Sequence, residues 1–384
     1  MEYLITVASL EVRDGSSLAA CEIALALRSR GHNVTLFSLR RGEFATWVED
    51  NLQLPCRTVT DLAQGTVPPP DRTVLFHWPA YFALARAGLT SPTVFGFLGH
   101  QPPLENPPPL VGGVEFPWFA VSEMTADNVS SVTGWQAAPH GIVRNWTAWE
   151  ERPVRRDGPL TRVAIVSNRM TEELEMNFRA VANDLGIEVV RFGLPKNPRV
   201  LTEDVLGEFD AVVSLGRTVL DAMRIGRPAL IYDIHGADGW VTPDVVDERA
   251  AESFAGRRRA HVATADELRD WLTHPPHTAA LRELQEWVDD NATVDRAVRD
   301  IEALFPTSIV DARTWGRFGE VPVELFTEVA TLKTSLATRE DQVRKLNAQR
   351  EIELAHIQRL EATLARLRPR WLVRVVSAVT ARRR

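Results

Sequence analysis

The feature that most restricts this chain is a unit that occurs near its start and returns later: apolar strand, short loop, amphipathic helix, apolar strand. Leu4–Ala8 is an apolar run, and Asp14-Gly15-Ser16-Ser17 is a turn rich in helix-capping residues. Leu18, Ala19, Ile23, Ala26 and Leu27 then fall on one helical face, Gly31 stops the helix, and Val34–Leu39 reads as the next strand. A strand–helix–strand unit implies a parallel sheet with a right-handed crossover. Further strands are expected at Thr73–Phe76, Thr93–Leu98 and Trp118–Val121, with Pro-rich loops at Pro68–Pro70 and Pro102–Pro109.

A charged, aperiodic stretch broken by Pro and Gly, Arg152–Leu160, marks a domain boundary. The same alternation then restarts. Arg162–Val166, Ile187–Phe192, Asp210–Val213 and Ala229–Tyr232 read as strands, and helices are expected through Glu172–Leu185, Asp266–Thr273 and Thr278–Leu304. Two such series give two doubly wound domains, at 1–155 and 156–305, in an α/β fold. Ligands bind such sheets at the carboxyl ends of the strands.

After a linker at 306–321 the pattern changes. Leu325, Leu332, Arg339, Leu346, Glu353, Leu360 and Leu367 alternate at heptad spacing with Val329, Leu336, Val343, Arg350, Ile357 and Leu364. A narrow apolar stripe of this length predicts a coiled coil at 322–368 and a homodimer through it, the alternative being a single amphipathic helix packed on the body. From Pro369 a tail at 369–384 places Trp371, Leu372, Val375, Val376 and Val379 on one helical face flanked by arginines. Beyond Glu361 there are seven arginines and no acid, although the whole chain carries −7. Such a helix suits an anionic membrane surface, with a solubilising tail as the alternative.

An acidic body argues against nucleic-acid binding. The two cysteines, Cys21 and Cys56, supply neither a disulfide framework nor a cysteine-based zinc site and fit a reduced, cytoplasmic setting. The first residues lack the basic n-region of a signal peptide, and no apolar stretch reaches the length of a membrane span. No paired-histidine or Asp-x-Asp spacing predicts a metal, and no cofactor is expected.

The richest segment is Asp210–Val241, where an apolar strand delivers the chain to Ser214-Leu215-Gly216-Arg217 and a helix follows at once. The start of such a helix offers unpaired N–H groups and the positive end of a dipole, a natural seat for a diphosphate. Asp221 just inside it can accept hydrogen bonds from a ribose diol. The competing reading is a capping box with Thr218 as N-cap and Asp221 three residues on.

Gly216-Arg217-Thr218-Val219-Leu220-Asp221-Ala222-Met223, followed by Gly226, Pro228, Asp233 and Gly236, resembles the nucleotide-sugar motif of the retaining GT-B glycosyltransferases. Arg30-Gly31-His32-Asn33-Val34 is similar to that family's N-terminal Arg-Gly-His-x-Val, and Val121-Ser122-Glu123 and Pro139-His140-Gly141-Ile142 resemble the segments leading into its interdomain linker. The likeness spans roughly residues 1–305. It implies two Rossmann-like domains around a cleft, the second holding a nucleotide-diphosphate sugar and the first an acceptor hydroxyl; the basic amphipathic tail adds the expectation of a glycan or glycolipid acceptor at the inner face of the membrane.

Matched residue by residue, the resemblance makes Asp221 the acid that contacts the ribose and puts Val213 where the family has another acid. It makes Arg169 a diphosphate cation, and Arg217 at the helix start is the expected substitute for the family's lysine, which has no match here, each with a salt bridge as its alternative. It gives His100 a contact to the donor sugar, with a structural histidine as the alternative. Gly15, Ser16, Ser214, Gly216, Thr218, His235 and Gly236 complete the expected donor site, the last two within a polar cleft-side loop that runs on through Asp238 and Trp240. A scaffold that has lost catalysis is the competing class, favoured by Val213 and by Glu172 and Glu173 standing where a lysine is expected.

Overall fold

The structure is a computed structural model, describing residues 1–89, 91–99, 117–131, 140–155, 157–193, 197, 200–234, 236–256, 263–306, 332 and 350. Outside the described residues lie His100, His235, the Pro-rich loop 102–109 and the tail 369–384, with the linker beyond 306 and all of the expected coiled coil except Leu332 and Arg350.

The first lobe is built on β1 (Glu2–Leu10), α1 (Gly15–Ser29), β2 (Asn33–Arg41), α2 (Glu43–Trp47), β3 (Cys56–Arg57), α3 (Val59–Ala63), β4 (Arg72–Phe76), α4 (Pro79–Arg86), β5 (Thr93–Phe97), β6 (Trp118–Ala120), α5 (Glu123–Ser131) and β7 (Gly141–Ile142). The sheet is parallel throughout, in the order β3-β2-β1-β4-β5-β6-β7. Strand β1 is apolar and buried along nearly its whole length because both its faces are covered. Helix α1 takes in Gly15–Ser17, expected as a turn, and has Asp14 as its N-cap. Asp14 accepts from the Ser17 N–H at 2.8 Å while the Ser17 hydroxyl accepts from the Asp14 N–H at 2.9 Å. Gly31, at φ +83°, turns the chain out of the helix.

The second lobe contains β8 (Arg162–Val166), α6 (Glu172–Asp184), β9 (Glu188–Phe192), α7 (Glu203–Gly207), β10 (Ala211–Ser214), α8 (Arg217–Arg224), β11 (Ala229–Asp233), β12 (Gly236–Trp240), α9 (Val246–Ala251), α10 (Ala265–Thr273) and α11 (Thr278–Asn291), and α12 (Val294–Leu304) follows it in the chain. Its sheet order is β12-β11-β10-β8-β9. The chain is therefore an α/β protein with two Rossmann-like lobes, as the alternation of elements predicts.

Two features differ from the sequence expectation. Gly236–Trp240, expected as a polar loop, is an antiparallel edge strand hairpinned to β11, and the Trp240 Nε1–H anchors it on the Trp271 carbonyl at 2.8 Å. The helix expected over 278–304 breaks at Ala292, and Thr293 caps a new helix, α12. That helix, counted by sequence with the second domain, packs on the first. Ala297, Val298 and Ile301 lie in the core cluster of β1 and α1, and Glu302 pairs with Arg30 at 2.7 Å. Each large apolar side chain so buried contributes about 1.5–3 kcal/mol, so the return ties the lobes together.

Candidate functional site

Three strand ends make the floor of the site. Strands β8, β10 and β11 stop at Val166, Ser214 and Asp233, side by side at the carboxyl edge of the second sheet. Side chains lace these ends. The Ser214 hydroxyl donates to the Val166 carbonyl at 2.7 Å. The Ser167 hydroxyl donates to Asp233 Oδ2 at 2.6 Å and accepts from the N–H groups of Arg169 and Met170 at 3.0 and 2.9 Å. Above them opens a cleft of about 380 Å³, lined by Ser167, Arg169, Ser214, Gly216, Thr218, Asp233 and Ser253, and from the first lobe by Leu98, Gly99, Met124 and Thr125. It lies where ligands of parallel α/β sheets bind.

Helix α8 enters this cleft uncapped by any side chain. Its N-cap is Gly216, at φ +62° and ψ −136°, a conformation that suits glycine, and not Thr218. The capping-box alternative is thus not formed, and the first turn keeps its positive dipole end for an anion. Arg169 stands exposed on the cleft wall, and among the described residues its side chain is in no ion pair, so its salt-bridge alternative is not formed either. Its loop is held from behind. Buried Arg191 donates to the Met170 carbonyl at 3.0 Å and pairs with Glu175, which also takes a 2.9 Å bond from Arg179.

The other two residues expected at the phosphates and ribose turn away from the cleft. Arg217 reaches Glu22 on α1, and Glu22 is held from its other side by the Trp146 Nε1–H at 3.1 Å. Burial works against the Arg217 charge, but Glu22 and Asp221 outweigh it and hold the guanidinium above its usual range. Here the salt-bridge alternative is the one realised, between the lobes. Asp221, only 8% exposed, accepts from the Thr147 hydroxyl at 2.6 Å in the segment joining the lobes and does not line the cleft. Burial pushes its carboxyl up to about 6, against the pull of Arg217 and Thr147. Asp221, expected at the ribose, thus stands hydrogen-bonded at the lobe junction.

Gly15 and Ser16 start α1 outside the cleft lining, and the Asp14 carboxylate already closes that helix end, where it opposes a phosphate. Gly236 is buried in the β11–β12 hairpin, paired with Asp233. Val213 lies in the second lobe's core, fully buried. Of the expected donor site, the structure brings together Arg169, Ser214, Gly216 and Thr218. It adds Asp233 and Ser167, and at the lobe junction Glu22, Trp146 and Thr147. Asp233 carried a signal, since it stands in the motif, whereas Glu22 is one more polar residue on a helix until Arg217 meets it. Among the described residues no group of three His, Cys, Asp or Glu side chains could hold a metal, and no helix is long and apolar enough to cross a membrane.

No protein-family model matches the chain, and no curated protein does. Among solved structures the chain is similar to MurG of Acinetobacter baumannii, at 13% identity over 79% of this chain and 99% of that one, with a TM-score of 0.47. It is similar to a glycosyltransferase of Rickettsia africae, at 11% identity over 79% and 97% with a TM-score of 0.49. It is also similar to WaaG, described as a glycosyltransferase involved in lipopolysaccharide biosynthesis, at 10% identity over 79% and 99% with a TM-score of 0.46.

Proposed function

We propose that the chain is a GT-B-type glycosyltransferase that takes a sugar from a nucleotide-diphosphate donor held in the second-lobe cleft to a hydroxyl on an acceptor at the first lobe. The observation that carries this reading is the uncapped start of α8 at Gly216, facing the same cleft as the Arg169 side chain. Charge that develops on a departing diphosphate meets a helix dipole and a guanidinium already in place, which is the main requirement for leaving-group stabilisation. A retaining outcome follows the sequence resemblance. The acceptor is a lipid-linked or surface-polysaccharide glycan, approached from the cytoplasmic face of the membrane. The basic tail at 369–384 and dimerisation through 322–368 support that setting, since two tails on one dimer bind a surface more tightly than one.

Calorimetry with uridine, guanosine and thymidine diphosphates tests the donor site. At least one should bind, and Arg169→Ala should weaken it about 10- to 100-fold, the range for losing a charge-assisted hydrogen bond. Failure of all three to bind refutes the reading. A second reading, a scaffold without catalysis, is favoured by the commitment of Arg217 and Asp221 to the lobe junction. Tight nucleotide binding with neither transfer nor donor hydrolysis selects it. For the tail, vesicles rich in phosphatidylserine should float the full chain and not a chain ending at Arg368, and equal flotation removes the membrane claim.

A further inference from the structure

His77 follows β4 at the carboxyl edge of the first sheet, in the left-handed region at φ +61°. A residue with a Cβ is strained there, so the surrounding structure must hold it in place. Three hydrogen bonds do so. The Ala8 N–H donates to the His77 Nδ1 at 3.2 Å, the Ala80 N–H donates to the His77 carbonyl at 3.3 Å, and the Thr6 hydroxyl donates to the neighbouring Phe76 carbonyl at 3.2 Å. The backbone pairing of β1 with β4 runs only to Thr6 and Leu75, and the imidazole takes the N–H that lies beyond it.

In the order β3-β2-β1-β4-β5-β6-β7 the chain proceeds outward from β1 on one side and from β4 on the other. The gap between these two strands is therefore the switch point of the first sheet, the counterpart of the gap between β8 and β10 under the second-lobe cleft. Parallel sheets take ligands at such gaps, and His77 bridges this one. On its other side β4 pairs with β5 at Phe76 and Gly96. The half-buried His77 thus stands one strand spacing, about 5 Å, from the chain that runs on to Leu98 and Gly99 in the cleft wall.

The bond from Ala8 also fixes what the ring can do. An Nδ1 that accepts an N–H has no proton of its own, so the neutral ring carries its proton on Nε2 and donates from there. To act as a base at Nε2 the ring would need its proton on Nδ1, where it would face the Ala8 N–H, donor against donor.

We propose that His77 positions the acceptor: its Nε2–H donates to an oxygen of the acceptor glycan and holds the attacking hydroxyl beside the cleft wall of Leu98 and Gly99. This rests on the transferase reading above and makes His77 a positioning residue, not the base.

The test measures transfer by the full chain to the octyl glycosides of glucose, galactose and mannose. Uridine diphosphate glucose, guanosine diphosphate mannose and thymidine diphosphate rhamnose are the donors, and calorimetry with the three nucleoside diphosphates runs beside it. Two variants divide the ring. His77→Asn tolerates the left-handed backbone and keeps an oxygen for the Ala8 N–H, but it does not reach as far as Nε2. His77→Gln puts an amide N–H near the Nε2 position. The Asn variant should bind nucleoside diphosphate within about two-fold of wild type, while its kcat/KM for the best glycoside falls about 10- to 50-fold. The Gln variant should recover most of that loss, and the pH profile of transfer should keep its shape in His77→Asn. Unchanged acceptor kinetics in His77→Asn overturn the proposal. So does an equal loss of nucleotide affinity, which marks a structural role, or the disappearance of an acid limb from the pH profile, which marks a base. A wild type that transfers to none of the glycosides also overturns it and, if a nucleotide still binds, leaves the donor site standing. A wild type that binds no nucleotide brings down the transferase reading as well.

Discussion

Asp221→Asn makes the sharpest physical claim about this fold. The Asp221 carboxyl is buried at the lobe junction between Thr147 and Arg217, and burial lifts it from 3.8 to about 6 even after Arg217 and Thr147 have drawn it down. In the folded chain it therefore keeps a proton between about pH 4 and 6 that the unfolded chain has released. Unfolding free energy falls as pH rises through that window, and above it the protein carries the full cost of an ionised carboxylate in a buried place. The gap corresponds to about 3 kcal/mol, to order of magnitude. Asparagine keeps an oxygen for the Thr147 hydroxyl and carries no charge at any pH. The stability of Asp221→Asn relative to wild type should therefore rise by about 3 kcal/mol between pH 4 and 7. Urea unfolding of both chains at four pH values across that range reads the difference directly. Glu22, which burial also raises, is present in both chains and to first order cancels. A variant-minus-wild-type difference that is flat with pH, or that falls, refutes the claim that Asp221 is a buried junction residue.

Glu22→Ala should cost about 3 kcal/mol in urea unfolding at pH 7, because it strands a largely buried Arg217 and leaves the Trp146 Nε1–H without its acceptor. Glu175→Ala should destabilise by about 3–5 kcal/mol by leaving Arg191 buried without its partner. It should also weaken nucleoside diphosphate binding, because Arg191 holds the Met170 carbonyl next to Arg169; wild-type affinity in this variant counts against that support.

Element ends were legible wherever their cause is local. The box of Asp14 and Ser17, the exit at Gly31 and the glycine at the start of α8 each follow from residues within a few positions. The break at Ala292 was not, because the apolar periodicity runs on across it while α12 changes lobes. Nor was the strand nature of Gly236–Trp240, whose small, polar composition reads as a loop until β11 supplies a hydrogen-bonding edge. Roles at the site divided in the same way. Arg169 and Arg217 both follow a strand in the second lobe and look interchangeable in sequence. What separates them is Glu22, 195 residues from Arg217 along the chain, and Trp146, 124 residues from Glu22. No local pattern carries such pairings.

The structure assigns two jobs to different parts of one helix. Gly216 and Thr218 open α8 onto the cleft, whereas Arg217 and Asp221, four residues apart and so on one face, meet Glu22 and Thr147 at the lobe junction. A ligand seated on the first turn and the contact between lobes therefore bear on the same rigid element within one turn of each other. Substitutions at 169, which is exposed, should then act on affinity with little effect on stability, and those at 22 and 221 should act mainly on stability and its pH dependence. If both sets moved both properties equally, α8 would be acting as one undivided site, and the separation of donor cleft from lobe junction would not hold.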